Sequence, residues 1–438
     1  MNLAGKSIGV FAVRGAGIAM TFLLQVFLAR LLSLEGYGNY AFAITLITLL
    51  SLVGKIGLDT AAIRFIAAYA GSSRPGLLYG FFRGSLAMVA LASAGIAALL
   101  AAGLSIADGI AAGLRQTLLV ATLALPLLGL MQLSSGMLQG FHRTVLSQAL
   151  STLIYPLLVV VGVSLLVWIP DQRIDAPTAM AMTAVALLLT FAGGVVAMTR
   201  ELRQVPRPDH LQFATREWIT SGFSITLVAT LVLVIQQTDI LMVGMLIDTE
   251  HAGIYAAANR LSMLVGFGLL VANTVFAPVI SAHHARDELA LLQSATTRAA
   301  RTVLLFTVPA ALLIGGFGKL FLMLFGDEFV AGHSALVILV LGQVGAAAGG
   351  LGGFYLTMTG RHWQATRVSL GAATANILLN LLLIPRFGIE GAAVATAISS
   401  TLWYALISLR VYRSMGINPT AFGGQEASTI DNPPPPRN

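Results

Sequence analysis

The sequence predicts an all-α integral membrane protein of about twelve transmembrane helices in two six-helix lobes. Three observations predict it. Of 438 residues, 57% are hydrophobic and only 10% charged, where an average soluble domain carries about 25% charge. Twelve stretches are long and apolar enough to cross a bilayer, which takes roughly 20 residues each. The Lys and Arg residues between them collect on alternate connections, as orientation in a membrane requires. The same composition excludes other classes. A disordered chain is polar, and the absence of cysteine removes disulfide scaffolds, thiolate metal sites and thiol nucleophiles. The net charge of +7 needs no nucleic acid partner, because cytoplasmic loops of membrane proteins are basic.

In chain order the expected spans are 8–32, 38–57, 77–103, 115–137, 145–169, 177–199, 218–247, 253–279, 300–325, 334–358, 366–385 and 389–412. The first follows Lys6, carries Arg14 and continues to Leu32, too long for the apolar core of a cleaved leader. After span two, DTAAIRFIAAYA (Asp59 to Ala70) reads as an interfacial helix or an extension of that span. Arg64 lies on its polar face, at the level of lipid phosphates. The longest polar connection, Arg200 to Glu217, holds Pro206, Pro208 and four arginines. It divides the chain into an N-terminal lobe (1–200), a basic cytoplasmic linker (201–217) and a C-terminal lobe (218–416). The tail 417–438 ends in a PPPP run and reads as disordered and cytoplasmic.

Loop charge tests the count. With both termini inside, 19 of the 25 Lys and Arg fall on the cytoplasmic side, and five (Arg30, Arg115, Arg173, Lys319, Arg386) on the other. One missed or invented span would scramble this bias.

The halves repeat. LLSLEGYGNYAFA from Leu31 aligns without gaps to LIDTEHAGIYAAA from Leu246, an offset of 215. Glu35 matches Glu250, Gly38 matches Gly253 and Tyr40 matches Tyr255. Gly140-Phe141-His142 likewise matches Gly360-Arg361-His362. Both matches fall at corresponding hairpins. Six spans per half make the repeats parallel, related by an axis along the membrane normal.

Catalytic chemistry is not expected. No GxxxxGK[ST] phosphate cradle exists: Gly54-Lys55 and Gly318-Lys319 lack the Ser or Thr, and Gly5-Lys6-Ser7 lacks the leading glycine. No paired carboxylates lie within the spans. His283-His284 with Asp287 reads as a solvated helix start rather than a metal site, and no cofactor is expected.

Charges inside spans are costly and mark function by default. Asp239 in span seven and Arg260 in span eight lie equally far from the hairpin between them. They therefore share a depth, and a direct ion pair is expected. Gln236, Gln237, Thr238 and Asn259 surround it with hydrogen-bonding groups. The pair either neutralises itself between two helices, or lines a cavity where a cation or an anionic substrate opens it. Arg14 either faces a cavity or snorkels to the headgroups. Lys55 and Arg83, nearer span ends, read as snorkelling. Pro126, Pro156, Pro278 and Pro309 are expected to kink helices. Gly345, Gly349, Gly350, Gly352 and Gly353 read as close helix packing in span ten, with a bending element as the alternative.

Several segments in this order resemble one family. They are ARLLSLEGYGNYAF (Ala29 to Phe42), GLDTAAIRFIA (Gly57 to Ala67), QQTDILMVGMLIDTEHAGIYAAANRLS (Gln236 to Ser262), ANTVFAPVIS (Ala272 to Ser281), FGDEFVAG (Phe325 to Gly332), LTMTGRH (Leu356 to His362) and NILLNLLLIPRFGIEGAAVATAIS (Asn376 to Ser399). The chain resembles the polysaccharide/oligosaccharide flippases of the multidrug/oligosaccharidyl-lipid/polysaccharide exporter superfamily. The resemblance implies a V of two lobes around a central cavity. It implies transfer of undecaprenyl-diphosphate-linked oligosaccharide from the inner to the outer leaflet of a bacterial cytoplasmic membrane. It makes Arg14, Arg260 and Asn259 candidates for the diphosphate, and Asp239 with Gln236 candidates for coupling to H+ or Na+. Span one holds no carboxylate, so coupling through the first lobe is not supported. Implied partners are the prenyl-diphosphate saccharide, membrane lipids, and the polymerase and glycosyltransferases of polysaccharide assembly. The competing readings are an ion-coupled multidrug exporter, which wants a negative cavity, and a membrane-embedded glycosyltransferase or polymerase, which wants acidic or His residues and a large outer loop.

Overall fold

The computed structural model describes residues 3–72, 74–170, 174–266, 268, 288–350, 352 and 362–423. Every regular element among them is helical: α1 (Leu3–Leu31), α2 (Leu34–Lys55), α3 (Leu58–Gly71), α4 (Pro75–Ile106), α5 (Ala112–Gly140), α6 (Thr144–Gln148), α7 (Tyr155–Val167), α8 (Ala176–Leu202), α9 (Thr215–Leu246), α10 (Thr249–Val265), α11 (Leu289–Gly316), α12 (Gly318–Met323), α13 (His333–Gly349) and α14 (His362–Met415). A π-helical turn, Ala149–Ile154, joins α6 to α7, and a 3-10 turn, Asp327–Gly332, precedes α13.

Ten helical stretches among the described residues are long and apolar enough to cross a membrane. The expected twelve agree with this number. One of the ten, α14, holds both of the last two spans, because Pro385 and Gly388 (φ 61°, ψ −139°) interrupt it. A Cβ at Gly391 would sit 2.4 Å from the Leu383 carbonyl oxygen, so the chain doubles back there. Most of span eight, from residue 269 on, lies outside the described residues, as do Pro278 and the His283-His284-Asp287 group.

Local chemistry explains the boundaries. The Ser33 hydroxyl caps α2 by accepting from the Gly36 N–H at 3.1 Å. The Asp248 carboxylate caps α10 in the same way, accepting from the His251 N–H at 2.8 Å. Ser33 and Asp248 are mates in the 215-residue repeat, so the repeat extends to capping. Asp175 caps α8, taking bonds from the Thr178 N–H and hydroxyl. Left-handed residues Ile56 and Gly57 end α2 and start α3. The segment from Asp59 is thus a separate helix. Its buried stripe of Leu58, Ala61, Ala62, Phe65, Ile66 and Tyr69 follows helical spacing. The π turn has a local cause. Pro156 has no N–H and its ring clashes with the carbonyl four residues back, so the ring widens there.

By packing, the chain forms two compact units: Met1–Ala257 with Leu322–Ala331, and Ala258–Phe321 with Gly332–Asn438. In the first, Phe325 and Phe329 join an aromatic cluster with Phe22 and Tyr37. The Arg30 guanidinium donates to the carbonyls of Met323 and Leu324. A second core gathers Phe65, Tyr69, Phe81 and Trp218, with the Trp218 N–H donating to the Tyr69 hydroxyl at 3.0 Å. In the second unit, α13 packs its small side against the last part of α14. Cβ atoms at Gly342, Gly345 and Gly349 would meet Ala397, Thr401 and Tyr404 within 2.8 Å. Close packing is therefore what the glycines of span ten serve. Residues 417–423 dock on α11: Gln293 exchanges hydrogen bonds with the Asn418 backbone, and Arg301 donates to the Ala421 carbonyl. The remainder of the tail, 424–438, lies outside the described residues.

Candidate functional site

Span helices bury few charges, so each one that is buried carries information. Asp239, in the C-terminal third of α9, is fully buried. Its Oδ2 accepts a 2.8 Å hydrogen bond from the Tyr255 hydroxyl of α10. Tyr255 is itself fully buried, so the carboxylate sits in the first unit with a phenol set directly on it. Gln237 is also buried, whereas Gln236, about one turn before Asp239, is exposed. Asn259 is buried and Arg260 half-buried. Both fall in the second unit, and Asp239 in the first.

Arg14 lies half-buried on α1. Among the described residues no carboxylate pairs with it. Three residues on, Gly17 lets the π turn come close: a Cβ there would sit 2.3 Å from the Thr152 hydroxyl oxygen.

The π turn also borders a polar cavity of about 260 Å3, lined by Asp59, Thr60, Gln132, Ser135, Gln139 and Ser151 among others. Ser147 ties its wall together, bonding the Ser135 hydroxyl at 2.7 Å and accepting from the Gln139 amide at 3.3 Å. Asp59 Oδ2 is bound by the Lys55 ammonium at 2.6 Å. Lys55 is 7% exposed. It is therefore an internal counter-ion and does not snorkel, a correction to the sequence reading. Asp59 Oδ1 and Gln132 Oε1 are buried with no protein donor. Such acceptors cost about 1–3 kcal/mol each if left dry. The cavity therefore suits a guest rich in hydroxyl or N–H donors. Sequence reasoning missed it because its Ser, Thr and Gln residues are scattered over three elements.

A further buried polar group lies in the second unit. The Asn380 amide donates to Asn376 Oδ1 at 3.2 Å, and the Asn376 amide to the Thr396 hydroxyl at 3.3 Å. Both asparagines are fully buried. Two Asn residues at helical spacing inside an apolar run were the signal for it. Arg64 is exposed on α3, with its guanidinium carbon 5.9 Å from the Phe65 ring centre, open to lipid or water.

Comparison with known proteins follows the fold. The family model described as "Polysaccharide biosynthesis protein" matches residues 5–284. Among curated relatives, "Probable low-salt glycan biosynthesis flippase Agl15" of Haloferax volcanii is 29% identical, covering 37% of this chain and 34% of the relative. "Probable flippase AglR" of the same organism is 31% identical, covering 37% and 35%. The chain thus spans about a third of the length of the curated relatives it matches. Among solved structures, an inward-facing multidrug resistance MATE family transporter of the MOP superfamily superposes with a TM-score of 0.70 at 12% identity, over 93% of this chain and 98% of that one. Lipid II flippase MurJ in an inward closed conformation gives 0.70 at 14%, over 92% and 87%. At these identities the likeness is one of fold.

Proposed function

This chain belongs to the polysaccharide biosynthesis protein family, and from that premise we propose that it is a flippase for a prenyl-diphosphate-linked saccharide. In its finer form the proposal has undecaprenyl as carrier and a bacterial cytoplasmic membrane, with both termini cytoplasmic and transfer from inner to outer leaflet by alternating access. The observation that carries it is Arg14. A half-buried guanidinium near the start of an apolar span, with no carboxylate set against it among the described residues, suits an anion that arrives and leaves. Arg260 and Asn259, in the second unit, are likewise proposed as diphosphate ligands. Arg64 is proposed to touch lipid phosphates. The donor-seeking cavity beside Asp59 and Gln132 fits saccharide hydroxyls. The polymerase and glycosyltransferases of the pathway are proposed partners.

The test uses a strain lacking the gene. Its extracted lipids are analysed by mass spectrometry for a diphosphate-linked prenyl saccharide held in the inner leaflet. Accumulation, reversed by the wild-type gene but not by Arg14→Ala or Arg260→Ala, is expected. Full reversal by both variants would remove the arginines from the site, and no accumulation would remove the substrate.

A second reading, ion-coupled drug export, is favoured by one observation, the buried Asp239 with its Tyr255 partner. On that reading Asp239 and Gln236 bind the coupling H+ or Na+. Loss of the strain's resistance to cationic compounds, without lipid accumulation, would support it.

A further inference from the structure

We propose that a groove on the first unit, between α4, the end of α8 and the connection to α9, binds a phosphate-bearing headgroup. The groove holds about 660 Å3, and its lining includes Arg83, Arg203 and Arg207 together with Tyr79 and Phe82. That volume falls within the usual range for ligand pockets, roughly 300–1,000 Å3. Asp209 is the one carboxylate among its described lining residues. Three arginines and one carboxylate residue therefore share the lining of a single cavity.

Two observations separate this arrangement from an ordinary basic surface. First, the arginines are not neutralised. None of the three has a hydrogen bond or ion pair among the described residues, whereas Arg143 on the same unit is paired with Glu201 at 2.7 Å. The protein supplies a carboxylate where it needs one and leaves these cations open. Second, the walls are fixed. The connection lies directly on α4: a Cβ at Gly80 would sit 1.9 Å from the Gln212 carbonyl oxygen. The Gln212 N–H donates to the Gly76 carbonyl at 3.1 Å. The Tyr79 hydroxyl donates to the Leu202 carbonyl at 2.9 Å. Arg203 and Arg207 thus flank a docked backbone rather than a loose loop, which lowers the ordering cost of binding.

Guanidinium groups match phosphate oxygens bidentately. Basic pockets at helix ends near a membrane surface are suited to anionic headgroups. Aromatic and aliphatic residues share the lining with the arginines, which fits a phosphate carried on a hydrocarbon stem. Two sources share that chemistry: an anionic phospholipid, and a diphosphate on a prenyl carrier. The proposal does not rest on the flippase reading.

The experiment uses the purified full chain in phosphatidylcholine nanodiscs. Binding is measured for phosphatidylglycerol added to the disc, for farnesyl diphosphate and for inorganic pyrophosphate. At least one probe is expected to bind. The Arg83→Gln/Arg203→Gln/Arg207→Gln variant should bind it about tenfold or more weakly, as loss of three charged contacts implies. Asp209→Asn should bind it about two- to threefold more tightly, because a like charge is removed. Arg143→Gln should match the wild type. Phosphatidylglycerol alone identifies the phospholipid as source, and binding of the two diphosphates identifies the carrier. No binding of any probe, or equal binding by the triple variant, overturns the proposal. If the triple variant does not fold, unchanged affinity in Asp209→Asn overturns it.

Discussion

Gly38 and Gly253, mates in the internal repeat, pack face to face where α2 and α10 begin. A Cβ on Gly253 would lie 3.0 Å from the Gly38 Cα, and one on Gly38 would lie 1.9 Å from the Thr249 carbonyl oxygen. The repeat therefore brings its own equivalent hairpins into contact.

Adding a methyl tests that contact. Gly38→Ala should destabilise the protein by about 1–3 kcal/mol, the usual range for overpacking. Gly253→Ala should cost less, since its nearest neighbour is farther. Gly95→Ala, with nothing within 4 Å, should be neutral or slightly stabilising. Thermal unfolding in detergent gives the order, and equal values for all three would refute the packing account.

The Lys55–Asp59 pair makes an asymmetric prediction. With side chains 9% and 17% exposed, removing one partner strands a charge. Asp59→Asn should cost about 3–5 kcal/mol. Replacing both, as Lys55→Met with Asp59→Leu, should recover most of the loss. A double variant as unstable as the single would show that the pair holds more than itself.

Tyr255→Phe removes the hydroxyl that donates to Asp239 Oδ2. An acceptor left buried without its donor costs about 1–3 kcal/mol, so urea unfolding should register a loss in that range. A cost near zero would mean that the carboxylate is held by its other neighbours.

Asp248 yields a pH prediction. Burial raises its pKa, but the backbone and side-chain hydrogen bonds and the charge of His251 outweigh this, and the carboxyl is held below its ordinary value of 3.8. A depressed folded value gives stability that is present above the unfolded value and lost as pH falls through the folded one. The stability difference between wild type and Asp248→Asn should therefore hold from neutrality to about pH 4, then shrink to nothing at lower pH. A difference that grows on acidification would reverse the sign assigned to the cap.

The spans were legible because the bilayer imposes length and apolarity on each of them independently. The repeat was legible because the two hairpin matches stand at nearly the same offset, 215 and 220, and the caps Ser33 and Asp248 share the first. What escaped the sequence depends on tertiary approach. Gly76 and Gly80 read as small residues in an apolar helix, and nothing local says that a polar connection lies on them. Lys55 read as a cation near a span end, because its partner lies beyond a left-handed turn. The cavity lined by Gln132, Ser135 and Ser151 draws on three elements, and each residue alone is an ordinary helical one. The arginines of the 201–217 connection were visible as charge, but their enclosure around one groove was not.

The π turn before Pro156 sets the lining of that cavity through backbone register. Ser151 belongs to the turn and lines the chamber. The extra residue that a widened ring accommodates is worth about 100° of rotation, one residue's share of a helical turn. The hydroxyl on the wall is therefore placed by the geometry of the turn as well as by the choice of serine.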